Sequence, residues 1–212
     1  NNALNNLSDN TEYVIFEKGI QTLGSYTLYD YSSNIKGVAF PGIKTLNNNI
    51  FNTSSKIYDL KLDNVVSIGN NAMPYALRTD INLSSALSIG TATFSSIKSK
   101  SITINNACVL GSNTFTNCEF EEVNYVTSGT GYSFVNGNLT ITEEMGSTLN
   151  INSGLNELIL NVDIPNTITS IAANSFSGAK WLKSIEIPNS VTSIGSGSFS
   201  NCSFDTVIYE SS

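Results

Sequence analysis

The chain has 212 residues, a formal net charge of −7, only 13% charged residues and no histidine. The negative balance argues against a phosphate-backbone partner, so no nucleic acid is expected. The lack of histidine removes the usual base of Ser and Cys hydrolases and the commonest zinc ligand.

Residues 1–13 read as a lead-in, and Asn1 to Asn6 has neither the basic start nor the apolar stretch of a secretory leader. The first strand pair is Val14 and Phe16, followed by Ile20, Leu23 and Leu28. The next turn gives Val38 and Phe40, then Ile43, Leu46 and Phe51. After it come Leu60 and Leu62, then Val65, Ile68 and Met73, with Ala76 behind. Ile81 and Leu83 lead to Ala86, Ile89, Phe94 and Ile97; Ile102 and Ile104 lead to Ala107, Leu110, Phe115 and Cys118. Val123 and Tyr125 open a coil whose continuation is lost. The pattern returns at Val162 and Ile164, again at Ile185 and Ile187, and closes with Val207 and Tyr209.

Each unit thus carries an alternating strand, a second apolar pair three residues apart, and a large residue five later. The strand alternates because one face enters the core and the other meets solvent. No unit can bury its apolar side alone, so units must stack and place their strands in a parallel sheet. The shift from Ile164 to Ile187 is about 23 residues, within the repeat range of leucine-rich solenoids. After the second apolar pair stand Gly24, Gly69, Gly90, Gly111 and Gly195, with Asn47 and Ala172 as exceptions. A glycine at fixed phase, with Asn as substitute, predicts a positive φ there, and the Ala172 coil is expected to turn differently. The segment from the large residue to its third successor, such as Phe199 to Cys202, predicts one short 3₁₀ turn.

Residues 126–161 do not fit the repeat. Asn136-Gly137 between two alternating runs signals a β-hairpin, and the rest reads as an irregular coil carrying one more strand. Such a stretch is either an insertion serving binding or a drift in coil length. The whole is therefore expected to be one solenoid domain over residues 1–212: repeats at 14–125, the irregular coil or hairpin insertion at 126–161, and repeats again at 162–212.

Ile187-Pro188-Asn189-Ser190-Val191-Thr192-Ser193-Ile194-Gly195, followed by Phe199 and Cys202, closely resembles the BspA-like class of leucine-rich repeats. Ile164 to Phe176 matches nearly as well, and weaker copies cover Ile68 to Met73, Ile89 to Phe94 and Leu110 to Cys118. The strand-end Pro is missing from the central copies. The resemblance implies a leucine-rich repeat solenoid, mostly β, with a parallel β-sheet on its concave face and short 3₁₀ turns and loops on the convex side. It further implies an extracellular or cell-surface protein, mainly of bacteria and some parasitic protists, its leader already removed. Members of this class are associated with adhesion to host or matrix proteins and with contacts between microbes. A protein or glycoprotein ligand on such a surface is the implied partner.

Solvent-facing strand positions form a column on the concave sheet: Ile15, Ala39, Lys61, Asn82, Thr103, Asn124, Asp163, Glu186 and Ile208. The candidate binding residues are its polar middle, Lys61, Asn82, Thr103, Asn124, Asp163 and Glu186, since concave sheets are the usual binding surface of repeat proteins. The alternative is a merely solvated sheet face. Asp163 and Glu186 fall on adjacent coils at a separation that suits a retaining glycosidase pair, but a flat exposed sheet offers no pocket to raise a carboxyl pKa. No P-loop, nucleotide fingerprint, EF-hand or zinc spacing appears, so no cofactor, metal or catalytic residue is expected. No apolar run is long enough to cross a bilayer, and no membrane insertion of this segment is expected.

Cys118 and Cys202 share a repeat position with Ala76, Ile97 and Ala179 and read as buried small hydrophobes, whereas Cys108 falls outside that column. Trp181 reads either as a lid on the core or as an exposed anchor. The function expected is a non-catalytic surface binding module. A structural spacer within a longer array is the alternative, and a carbohydrate-active enzyme a distant third.

Overall fold

The computed structural model describes residues 10–29, 35–51, 57–73, 80–151 and 154–209. Ala76 lies outside them. The chain divides into two compact units, residues 1–123 and 124–212.

In the first unit the alternating segments become short strands: β1 (Tyr13–Ile15), β2 (Gly37–Ala39), β3 (Asp59–Lys61), β4 (Ile81–Leu83), β5 (Lys98–Ile104) and β6 (Glu119–Asn124). Strands β1, β2 and β3 form one parallel sheet in which Val14, Val38 and Leu60 are in register. Strands β4, β5 and β6 form another, with Ile81 opposite Ile102. The registered apolar residues all point into the core. The second apolar pair ends each time in a two-residue strand. Thr22–Leu23, Thr45–Leu46, Ser67–Ile68, Ser88–Ile89 and Val109–Leu110 make one unbroken five-strand parallel ladder. Phe94–Ser95 and Phe115–Thr116 pair as a third, shorter ladder.

The second unit contains β7 (Val126–Gly129), β8 (Tyr132–Val135), β9 (Asn138–Ile141), β10 (Asn161–Asp163), β11 (Ser184–Ile187) and β12 (Thr206–Tyr209). Strands β7, β8 and β9 form an antiparallel meander, and Asn136-Gly137 turns β8 into β9 with φ of 49° and 86°. Both values are positive, as a two-residue type I′ turn demands. Strand β9 also pairs parallel with β10, placing Leu139 opposite Val162. Farther along the same coil, Thr148–Leu149 pairs with Ser170–Ile171, and that with Ser193–Ile194. The repeat therefore resumes at Leu139 rather than at Val162. Only β7 and β8 stand outside it, and β9 is both the last strand of the meander and the first of a regular coil.

The recurring glycines correct the expectation set for them. Residues with positive φ lie two positions later: Tyr26, Asn49, Asn71, Ala92, Asn113, Asn174 and Gly197. A second such column follows four residues on at Ser96, Asn117, Gly178 and Asn201. Asn fills most of these sites because its short polar side chain tolerates the left-handed region. The glycines serve a different need. A Cβ on Gly90 would lie 2.7 Å from the backbone carbonyl carbon of Gly69, and one on Gly111 would lie 2.7 Å from that of Gly90. Neighbouring coils touch backbone to backbone there. Ala172 turns as its counterparts do, since Asn174 keeps the left-handed conformation.

A buried hydroxyl fastens the same corner. Thr93 Oγ1 lies 2.8 Å from the carbonyl oxygens of both Gly69 and Gly90, sharing its proton between the preceding coil and its own. Thr114, Ser175 and Ser198 repeat the arrangement. Beneath it the large residues stack. Phe94 and Phe115 lie 5.5 Å apart with rings 15° from parallel, and Phe176 and Phe199 lie 5.5 Å apart at 11°. Phe120 and Phe204 close each stack edge-on. Each stacked pair adds roughly 0.5–1.5 kcal/mol beyond its buried area. The turn that follows is a single hydrogen bond from the third residue back to the aromatic carbonyl, 3.0 Å for Cys118 to Phe115 and 3.3 Å for Cys202 to Phe199. The two 3₁₀ helices among the described residues, Glu143–Met145 and Asn156–Leu158, lie in the coil that begins at β9.

Core assignments change at two places in the first unit, and in the last coil Ile194, Val207 and Tyr209 are exposed at phases expected to be core. Ile20 is exposed, leaving Leu23 as the core residue of its pair. Cys108, not Ala107, enters the core: its N–H donates to the Asn105 carbonyl, the bond that Ala86 makes to Leu83. Because Ile104 rather than Asn105 stands opposite Leu83, the turn here is one residue longer.

Candidate functional site

The strands place the six candidate side chains on the solvent side, where Lys61, Asn82, Asp163 and Glu186 are exposed and Thr103 and Asn124 half-buried. They fall in separate short rows. Lys61 ends the row Ile15–Ala39–Lys61 across β1, β2 and β3. Asn82 stands opposite Thr103 on β4 and β5. Glu186 stands opposite Ile208 on β11 and β12. Asp163 stands opposite Thr140 on β9, so its row continues to Thr140 and not to Asn124. Thr140 belongs to the column, and the 23-residue step from Leu139 to Val162 was the signal for it.

Their hydrogen bonding differs. Asn82 is committed locally: its Nδ2 donates to Asp63 Oδ1 at 2.6 Å, and its Oδ1 accepts from the Ser84 N–H at 3.1 Å. That pair holds the turn after β4. Lys61 Nζ lies 3.2 Å from Asp59 Oδ1, with both side chains more than half exposed. An ion pair so open is worth little to stability, and both groups stay available to a ligand.

Asp163 and Glu186 share a shallow depression of about 350 Å³ with Val162, Ile164, Pro165, Asn166 and Pro188. The depression is lined from β10 and β11, which belong to different hydrogen-bonded sheets. Among the described residues, no group of three or more His, Cys, Asp or Glu side chains could hold a metal ion. Trp181 is half-buried, and Lys183 Nζ sits 5.6 Å from its ring centroid. None of the three cysteines forms a disulfide. Cys118 is fully in the core, and Cys202, of the same column, is half-buried in the last coil. Burial pushes the Cys108 thiol up to about 11. No described helix is long and apolar enough to cross a membrane.

The fold is similar to that of a leucine-rich repeat protein from Eubacterium ventriosum ATCC 27560, with a TM-score of 0.54 and 20% identity. That match covers 94% of this chain and 60% of the other, so this chain spans less than two thirds of its length. A leucine-rich cell surface protein from Faecalibacterium prausnitzii A2-165 also matches, at 15% identity and a TM-score of 0.28, over 96% of this chain and 89% of that one. No curated protein matches the chain. The family model for the BspA-type leucine-rich repeat region matches in six copies over residues 1–122 and 155–212, leaving out the meander and the first part of the coil that β9 begins. With the repeat phase, the parallel ladders and that match in agreement, the chain belongs to the BspA-type leucine-rich repeat family.

Proposed function

We propose that this chain is a non-catalytic binding module of a secreted or cell-surface protein. It adheres to host or matrix proteins, or to other microbes, through the solvent face of strands β3 to β6, β10 and β11, which carry the six candidate residues. The observation that carries this reading is the set of exposed polar side chains on short, rigid, registered strands, with Lys61, Asp163 and Glu186 free of buried structural duty. Sites on strands are held more firmly than sites on loops.

The test is binding of the purified chain to immobilised matrix proteins and host cells, beside a Lys61→Ala, Asn124→Ala, Glu186→Ala triple variant. A loss of at least tenfold in affinity, about 1.4 kcal/mol, is expected. Equal binding by the two proteins would sink the sheet-face proposal. The alternative reading is a structural spacer within a longer repeat array.

A further inference from the structure

The first unit's solvent face carries a feature that the repeat does not require. On β1, Tyr13 and Ile15 are 63% and 73% exposed, although both sit in a sheet. Their neighbours on β2 are the smallest residues available: Gly37 opposite Tyr13 and Ala39 opposite Ile15. On β3 the same rows end in Asp59 and Lys61, which pair with each other at 3.2 Å. A Cβ on Gly37 would lie 2.6 Å from Tyr13 Cδ1 and 2.7 Å from Cε1. The tyrosine ring therefore lies down across the β2 backbone instead of standing off the sheet. Corresponding positions on the other coils hold Asp59, Asp80, Ser101 and Glu122, whose side chains would deny the ring that place.

The result is a flat shelf, apolar along Tyr13, Ile15 and Ala39, with an ionic edge at Asp59 and Lys61. At its mouth Lys36 Nζ donates to Glu12, whose carboxylate holds the lysine pKa up, with smaller contributions from Tyr13 and Tyr58. The shelf's two lysines are each matched by a carboxylate, so it presents hydrogen-bonding groups without net charge. That combination suits a ligand that is itself uncharged, has flat apolar faces, and is rimmed by hydroxyls. Pyranose rings joined by equatorial linkages have this character: their C–H face stacks on an aromatic ring and their hydroxyls reach polar edges. From β1 to β3 the ladder spans about 10 Å, room for two successive rings.

We propose that Tyr13, Ile15, Ala39, Asp59 and Lys61 form a binding shelf for a neutral, equatorially linked oligosaccharide. Tyr13 is the stacking platform, and Gly37 is the residue that lets it lie flat. The shelf deepens the proposed binding role at one end of the same face and rests on it. Titrating the purified chain with cellohexaose and chitohexaose, followed by saturation-transfer NMR and calorimetry, tests the proposal. Tyr13→Ala should weaken binding about tenfold, the loss of one stacking contact. Gly37→Ala should weaken it comparably by lifting the ring. Asp59→Asn, an exposed change that leaves the fold intact, should weaken it severalfold. Glu144→Gln, on the other unit, should leave it unchanged. A wild-type chain that binds neither hexasaccharide overturns the proposal, as do Tyr13→Ala and Asp59→Asn variants that bind as well as wild type. Preference for a polyproline peptide, another ligand with flat apolar faces, also overturns it. A chain that binds matrix protein but neither sugar refutes only the shelf. A chain that binds sugar through Tyr13 but no matrix protein refutes only the adhesion reading.

Discussion

Replacing Gly90 by alanine tests the account of coil stacking most directly. The new methyl would meet Gly69 C and Asn70 N at 2.7 Å, and both are backbone atoms of the preceding coil. Ordinary contact begins near 3.4 Å, so the two coils must part by about 0.7 Å (3.4 − 2.7) at this corner. Two hydrogen bonds span it: the Gly90 N–H to the Ile68 carbonyl at 2.8 Å, and the Thr91 N–H to Asn70 Oδ1 at 2.8 Å. Stretched by that amount both are lost, at a net cost of about 1 kcal/mol each, which agrees with the roughly 1–3 kcal/mol typical of overpacked sites. We expect a destabilisation of about 2–3 kcal/mol, read as a fall of roughly 4–12 °C in the thermal midpoint. Far-UV circular dichroism during heating and urea unfolding gives both numbers. Gly24→Ala is the internal comparison, because its methyl would find nothing nearer than 3.9 Å; it should stay within about 0.5 kcal/mol of wild type. Equal midpoints for the two variants would show that these glycines are not there for close approach.

Three further outcomes follow from the same geometry. Thr114→Val keeps the shape but removes the hydroxyl that reaches the Gly111 and Gly90 carbonyls, and should cost about 1–3 kcal/mol by urea unfolding, whereas exposed Thr22→Val should cost little. Gly137→Ala forces a side chain into a φ of +86° and against Leu160 Cδ1 at 2.6 Å. It should raise amide exchange across β8 and β9 by about tenfold or more, the effect of 1–2 kcal/mol of local strain. Cys108 has a folded pKa raised to about 11 by burial, above its unfolded value near 8.5. Its neutral form is the one the fold favours, so its contribution is whole below about pH 8.5 and is lost as pH rises towards 11. Urea midpoints measured from pH 7.5 to 10.5 should therefore fall less in Cys108→Ala than in wild type.

Spacing made the architecture legible because a core residue in a solenoid must reappear when the chain returns to the same side. Val38 and Leu60, or Ile81 and Ile102, could be aligned with no knowledge of the turns between them. The glycines were misread for a physical reason. A sequence shows that glycine is required but not whether for its φ or for its missing Cβ, and the Asn column two residues later carried the φ requirement. Leu139 was missed because Asn138 to Ile141 satisfies two patterns at once, the second arm of a hairpin and the opening of a coil. Tyr13 passed unnoticed since only its ring lying over Gly37 distinguishes a platform from an exposed aromatic. The candidate column was legible as positions but not as a line, because hydrogen bonding between coils breaks it into shorter rows.

The hydroxyls of Thr93, Thr114, Ser175 and Ser198 each bridge one coil to the coil before it and to no other. A joint of this kind carries no memory of its position in the series. In genetic terms, unequal crossing-over that adds or deletes a whole coil leaves every remaining joint with its small residue, its hydroxyl and its left-handed turn in place. Such a gene can change length by whole repeats without first acquiring compensating substitutions. The surface residues of each coil are then free to diverge, because nothing in the joint refers to them.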